Sequence, residues 1–108
     1  MNKFEAVLLF SPDLTSTKLK EQEESFNNKL DELNGSIVSQ EDWGLRNLSY
    51  KIKNFKKAFY KFYQIEIKSN KIQDIKKNIN QNEQIIRSLF IKVYNHQKLP
   101  TKMFKEEK

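Results

Sequence analysis

Four lysines fall within seven residues, at Lys51, Lys53, Lys56 and Lys57. Ammonium groups packed that densely along a chain suit phosphate, each acting as a point charge on a flexible stem. Arg46 and Arg87 are the only arginines in a chain that otherwise uses lysine, 18 of them. A planar guanidinium can hold a phosphate bidentately and can also stack, so both are candidate polyanion contacts. For Arg87 the plainer reading is a charge near a carboxylate such as Glu83. A third group, Lys57-Ala58-Phe59-Tyr60-Lys61-Phe62-Tyr63, interleaves aromatic rings with lysines. On a strand, Tyr60 and Phe62 would share one face, and Phe59, Tyr63, Ile65 and Ile67 the other. The first pair could stack on bases or pack against a protein partner, while the second belongs in a core.

Catalytic chemistry finds no comparable set. There are 0 Cys, a single His and 2 Gly, which removes thiolate nucleophiles, zinc sites and glycine-rich phosphate loops together. His96 stands alone near the end of the chain and reads as a solvated tail residue. Glu23 and Glu24 are adjacent in sequence, and adjacent helical positions do not face each other, so they read as a solvated face. The expectation is a non-enzyme with no cofactor, no metal and no small-molecule substrate.

Charge is distributed unevenly. Residues 1–42 hold 4 lysines and 9 acids, whereas residues 43–108 hold 16 basic and 5 acidic residues. A single domain built from such a chain should have one basic surface, the footprint of a polyanion partner. A compositional bias toward Lys, Asn and Ile accounts for part of the same pattern. No apolar run approaches the roughly 20 residues a membrane helix needs. The opening Met1-Asn2-Lys3-Phe4-Glu5 meets an acid at once, unlike a signal peptide. A soluble, intracellular domain without membrane contact is expected.

The elements that must position these residues follow from periodicity. Residues 3–10 form a short apolar run stopped by Ser11-Pro12-Asp13, which predicts a buried strand. Leu19, Phe26, Leu30 and Leu33 make a helical stripe, capped by Thr15 or Ser16 and ended by Asn34-Gly35. Ile37-Val38 opens a second strand continued from Trp43 to Ile52, with Gly44 marking a bulge or a close backbone approach. Asn54-Phe55-Lys56-Lys57 reads as a hairpin turn, and 58–67 as the strongest strand. Ser69-Asn70 caps a helix carrying Ile72, Ile75 and Ile79. The alternation over 89–94 predicts a fourth strand. The β-α-β-β-α-β order defines an α+β, ferredoxin-like split βαβ fold: a four-stranded antiparallel sheet with both helices on one face. The domain is expected over 1–95, followed by a flexible basic tail over 96–108 in which Leu99, Met103 and Phe104 could anchor a partner. The other sheet face has no covering element in this reading. Small enzymes such as acylphosphatases use this fold, but no glycine-rich anion loop with an arginine stands near the first strand. The third-strand aromatics suggest an alternative, a free-standing RNA-recognition-like module, although Ala58 and Tyr60 occupy positions where that module has glycine.

Residues 44–52, Gly44-Leu45-Arg46-Asn47-Leu48-Ser49-Tyr50-Lys51-Ile52, closely resemble the second-strand signature of the bacterial small-subunit ribosomal protein six family. Lys3-Phe4-Glu5, Pro12-Asp13-Leu14, Phe62-Tyr63-Gln64-Ile65-Glu66 and Ile86-Arg87 extend the resemblance over about residues 3 to 94. Phe4 replaces the family's usual tyrosine, lysine replaces arginine over the basic surface, and the hairpin turn lacks glycine. The resemblance implies a structural constituent of the small ribosomal subunit that binds the central domain of 16S ribosomal RNA together with small-subunit ribosomal protein eighteen. On this reading Lys3, Arg46, Lys51, Lys53, Lys56, Lys57, Arg87 and Lys92 are the candidate RNA contacts. Lys3 and Lys92 are expected on the two central strands and count only if they reach the outer sheet face. Tyr50, Tyr60 and Phe62 are the candidate contacts to the protein partner, with core-edge packing the plainer role for Tyr50.

Overall fold

The computed structural model describes residues 1–96; the expected tail beyond, with Leu99, Met103 and Phe104, lies outside the described residues. The chain runs β1 (Asn2–Phe10), α1 (Ser16–Glu32), β2 (Ser36–Ile52), β3 (Phe55–Ile67), a 3₁₀ turn (Ser69–Lys71), α2 (Ile72–Asn80) and β4 (Ile85–Val93). The strand order is β2-β3-β1-β4, and β1 pairs antiparallel with both β3 and β4. This is the split βαβ arrangement read from the sequence, with β1 and β3 in the centre and β2 and β4 at the edges.

The core forms because each element contributes one apolar face. Phe4, Ala6, Leu8 and Phe10 alternate along β1 and meet Tyr63, Ile65 and Ile67 of β3. Above them lie Leu19, Phe26 and Leu30 of α1 and Ile72, Ile75 and Ile79 of α2. Burying each Leu, Ile or Phe among them contributes about 1.5–3 kcal/mol before entropy is counted. Thr15 caps α1, its Oγ1 accepting from the Lys18 N–H at 3.2 Å. At the other end Asn34, at φ 61°, is the left-handed residue, and the Gly35 N–H returns to the Leu30 carbonyl at 2.8 Å. Gly35 is needed for space instead: a Cβ there would lie 3.0 Å from the Glu66 carbonyl oxygen.

Three boundaries differ from the sequence reading. The hairpin turn is Lys53-Asn54, not residues 54–57, because Ile52 pairs with Phe55. Both turn residues have positive φ (50° and 71°), the two-residue geometry that matches strand twist, so β3 begins at Phe55. Ser69-Asn70 does not cap α2 by a side chain; these residues form the 3₁₀ turn, and the Ser69 N–H is taken by Asn2 Oδ1 at 3.0 Å. β4 begins at Ile85, four residues early, since Ile85 and Ile86 are buried.

One charge is buried on the helix side of the sheet. Lys61 Nζ lies 2.9 Å from Asp42 and 3.4 Å from Glu23, tying β3 to β2 and α1 at one point. Next to this cluster the Tyr63 ring packs on Phe26, 4.9 Å between centroids. Its hydroxyl is buried and has no hydrogen-bond partner among the described residues. Burial above all, then the charges of Glu23 and Asp42, pushes the phenol well above its ordinary range, so it stays neutral. An unsatisfied buried hydroxyl costs about 1–3 kcal/mol. Tyr63→Phe is therefore expected to stabilise the fold by about 1 kcal/mol, a rise of about 4–8 °C in Tm for a domain of this size. A thermal melt showing a fall in Tm would mean the hydroxyl is satisfied.

Candidate nucleic-acid interface

The basic surface is made by an overhang. β1 ends opposite Phe59, whereas β2 and β3 continue to pair as far as Ile52 and Phe55. The hairpin therefore projects past the rest of the sheet, and Lys51, Lys53, Lys56 and Lys57 are all exposed on it. Their ammonium groups meet no carboxylate within ion-pair distance among the described residues.

Within the hairpin β2 departs from regular pairing three times. Val38, between Ile37 and Ser39, is the first extra residue. The second is Trp43, between Asp42 and Gly44, at the place where the sequence put a bulge. Gly44 has φ 79°, a conformation that favours glycine, and its N–H is held by Asp42 Oδ1 at 2.8 Å. The bulge turns the indole onto the outer sheet face, stacked on Phe62 at 5.2 Å with 8° between the rings. The indole N–H donates to Glu41 at 2.9 Å. Arg46 closes the bulge, its Nε–H donating to the Trp43 carbonyl at 2.9 Å.

The third departure is the widest. Between Asn47 and Ile52, the residues Leu48-Ser49-Tyr50-Lys51 stand opposite Lys56 alone. That slack lets the end of the hairpin curl over the outer face. Leu48, Ile52 and Phe55 pack there against Leu9, Ala58 and Ile86, a second apolar cluster separate from the core under the helices. The outer face, expected to be bare, is thus partly covered by the chain's own β2 and hairpin.

The sequence-predicted residues fall into two groups. Arg46, Tyr50, Lys51, Lys53, Lys56, Lys57, Tyr60 and Arg87 gather at the hairpin end, since Arg46 pairs with Ala58 and Arg87 with Leu9. Tyr50, Tyr60 and Arg87 line one hollow on the outer face. Tyr50 is 66% exposed, so it is not packed into the core edge. Lys3 and Lys92 lie at the opposite end, roughly 20 Å away along the strands at about 3.4 Å per residue. Lys3 is on the outer face of central β1, paired with Glu66, but β4 is an edge strand and not a central one. Lys92 pairs with Phe4, a core-facing residue, so it lies on the helix side and not on the outer face.

Phe62 is on the outer face as expected but only 3% exposed beneath Trp43. A two-ring platform of Tyr60 and Phe62 is therefore not presented to solvent, and this argues against the RNA-recognition-like alternative. Trp43 escaped the sequence reading, although Asp42-Trp43-Gly44, an acid and a glycine around an aromatic, is the local signal that the bulge needs. His96 also differs from its reading as a solvated residue: it is half-buried, with Nε2 3.2 Å from the carbonyls of both Phe4 and Ile65. Both partners are acceptors, so that nitrogen carries the proton.

Because Trp43 is the single tryptophan of the chain, its emission reports the bulge. Arg46→Ala removes the bond to the Trp43 carbonyl and should cost about 1 kcal/mol of stability. Chemical denaturation should show this loss together with a red shift of native emission. Unchanged emission and stability would show that Arg46 does not hold the bulge.

On the other half of the outer face Leu89 and Ile91 of β4 are 55% and 51% exposed, flanking the half-buried Val7 of β1. Among the described residues no group of three or more His, Cys, Asp or Glu side chains could hold a metal. No helix there is long and apolar enough to cross a membrane.

Fold and surface together define a ferredoxin-like α+β module with one strongly basic end and no assembled catalytic group among the described residues. Comparison with known proteins makes the class particular. The family model described as Ribosomal protein S6 matches residues 3–92. The small ribosomal subunit protein bS6 of Orientia tsutsugamushi (strain Ikeda) is 37% identical over 93 residues, covering 86% of this chain and 79% of that protein. The protein of the same name from Rickettsia prowazekii (strain Madrid E) is 34% identical over 107 residues, covering 99% and 88%. The crystal structure of 30S ribosomal protein S6 from Thermotoga maritima shares the fold with a TM-score of 0.81 at 19% identity, covering 86% of this chain and 88% of that one. The chain belongs to the ribosomal protein S6 family, structural and non-enzymatic proteins of the small ribosomal subunit.

Proposed function

We propose that this chain binds the central domain of 16S ribosomal RNA through its hairpin end, jointly with small-subunit ribosomal protein eighteen, on the cytoplasmic ribosome. The observation that carries the reading is the overhang. Four exposed lysines on a hairpin that projects beyond the sheet can reach into a groove between phosphates, which a flat face cannot. Arg87 adds a guanidinium from β4 at the same end, and Lys3 adds a charge on the outer face a sheet length away, whereas Lys92, on the helix side, lies outside this surface. Arg46 stands at the same end, its Nε holding the bulge beside the hairpin.

The protein partner has a separate surface in this reading. Leu89, Ile91 and Val7 form an apolar strip beside an unpaired sheet edge, the kind of surface that gains from being covered. Phe62, paired with Val7 and covered by Trp43, does not touch the partner itself. Backbone footprinting of 16S central-domain RNA tests the assembly. Protection is expected when this chain and protein eighteen are added together. An RNA left fully reactive in the presence of both would overturn the proposal.

A further inference from the structure

The hollow under the curled hairpin has its own chemistry. It measures about 220 Å³, below the roughly 300–1,000 Å³ of drug-sized ligand sites, so it suits one planar ring system. Leu9, Leu48 and Ile52 give it an apolar base, Tyr50 and Tyr60 give it two aromatic rings, and Arg87 reaches it from β4. No carboxylate lines it. Lys51 follows Tyr50 directly in sequence, Lys53 comes two residues later, and both are exposed. A recess that sets two aromatic rings and the Ser49 hydroxyl beside a single positive charge is matched by a flat ring that carries polar edges and a negative group.

We infer that this hollow takes one unpaired nucleotide of RNA, its base against Tyr50 and Tyr60 and its phosphate at Arg87. The inference rests on the RNA-binding reading above and adds to it a base-dependent subsite. The lysines outside the hollow guide the backbone without regard to sequence, whereas an aromatic recess holds only a base that has left its helix. It also gives a physical reason for the slack in β2. Without the four residues set against Lys56, Tyr50 could not reach across two strands to a hollow shared with Arg87.

The test is a titration of the full-length isotopically labelled chain with a five-nucleotide oligoadenylate and with an abasic ribose-phosphate chain of the same length. The oligoadenylate should shift the backbone amides of Leu48, Tyr50, Tyr60 and Arg87. The abasic chain should shift the hairpin lysines only. Tyr50→Ala should weaken oligoadenylate binding about 5- to 100-fold, the usual range for loss of one stacking ring. Tyr50 is exposed, so the melting temperature of that variant should match the parent, and Arg87→Ala should weaken the same titration. Equal binding of the two oligomers, or parental affinity in Tyr50→Ala, would overturn the inference while leaving phosphate-led RNA binding intact. If the hollow stays silent but central-domain RNA still binds with protein eighteen, this inference alone fails. If neither RNA binds under any condition, both fail.

Discussion

Replacing Lys51, Lys53, Lys56 and Lys57 together by glutamine should weaken binding to central-domain RNA about 4- to 1000-fold at physiological salt. The range follows from about 0.2–1 kcal/mol for each exposed charge contact, summed over four. All four side chains are exposed and none is paired to a carboxylate among the described residues, so the substitution removes charge without removing packing. The signature is the salt dependence. Each phosphate contact contributes about one to the slope of log affinity against log salt, and the parent should show a slope of about −3 to −5. The variant should lose about three to four of that slope, with an unchanged circular dichroism spectrum. A parent complex whose affinity ignores salt would remove the hairpin from the interface altogether.

The second large effect is coupling. Phosphate contacts alone give binding of about 10⁻⁴ to 10⁻⁶ M at physiological salt. This chain presents only two guanidinium groups, and one of them is already engaged at the Trp43 bulge. Lysine stems lose rotamer freedom when fixed, which offsets part of each contact. Protein eighteen bound on the Leu89–Ile91 strip would bury apolar surface and add its own groups to a joint RNA face. Central-domain RNA titrated with this chain, with protein eighteen and with both should therefore show positive coupling of about 100-fold or more, close to 3 kcal/mol. Leu89→Lys should abolish most of that coupling while leaving the weak binding of the single chain in place. Nanomolar, sequence-specific binding by this chain alone would defeat the two-protein account.

How much of this was legible beforehand depends on the range of the interaction that decides each feature. Helix α1 is local: its stripe of Leu19, Phe26 and Leu30 and its Thr15 cap are readable because both depend on residues within one or two turns. The same holds for β1 and for the bulge at Gly44. The hairpin turn was misplaced by two residues because it contains no glycine. Lys53 and Asn54 take positive φ at a cost, and what imposes it is the pairing of Ile52 with Phe55 rather than the turn's own propensity. β4 was begun late for a similar reason. Ile86 is the extra residue of a bulge between Ile85 and Arg87, so Ile86 and Arg87 both fall on the outer side and strict alternation fails there.

The sequence by itself determined the order of elements, the faces of β3, the basic character of the second half and the family to which the chain belongs. These depend on periodicity, charge and local motif, which neighbouring residues set between themselves. Only the tertiary structure decided which of the candidate residues act together. Lys92 goes to an edge strand and to the helix side because Phe4 is its partner. Phe62 disappears beneath Trp43, and Lys61 is buried between Asp42 and Glu23. Tyr50 and Arg87, far apart in sequence, come to one hollow because four slack residues of β2 let the hairpin curl. Each outcome depends on register and curvature across several strands, where a displacement of one residue changes the face on which a side chain lies.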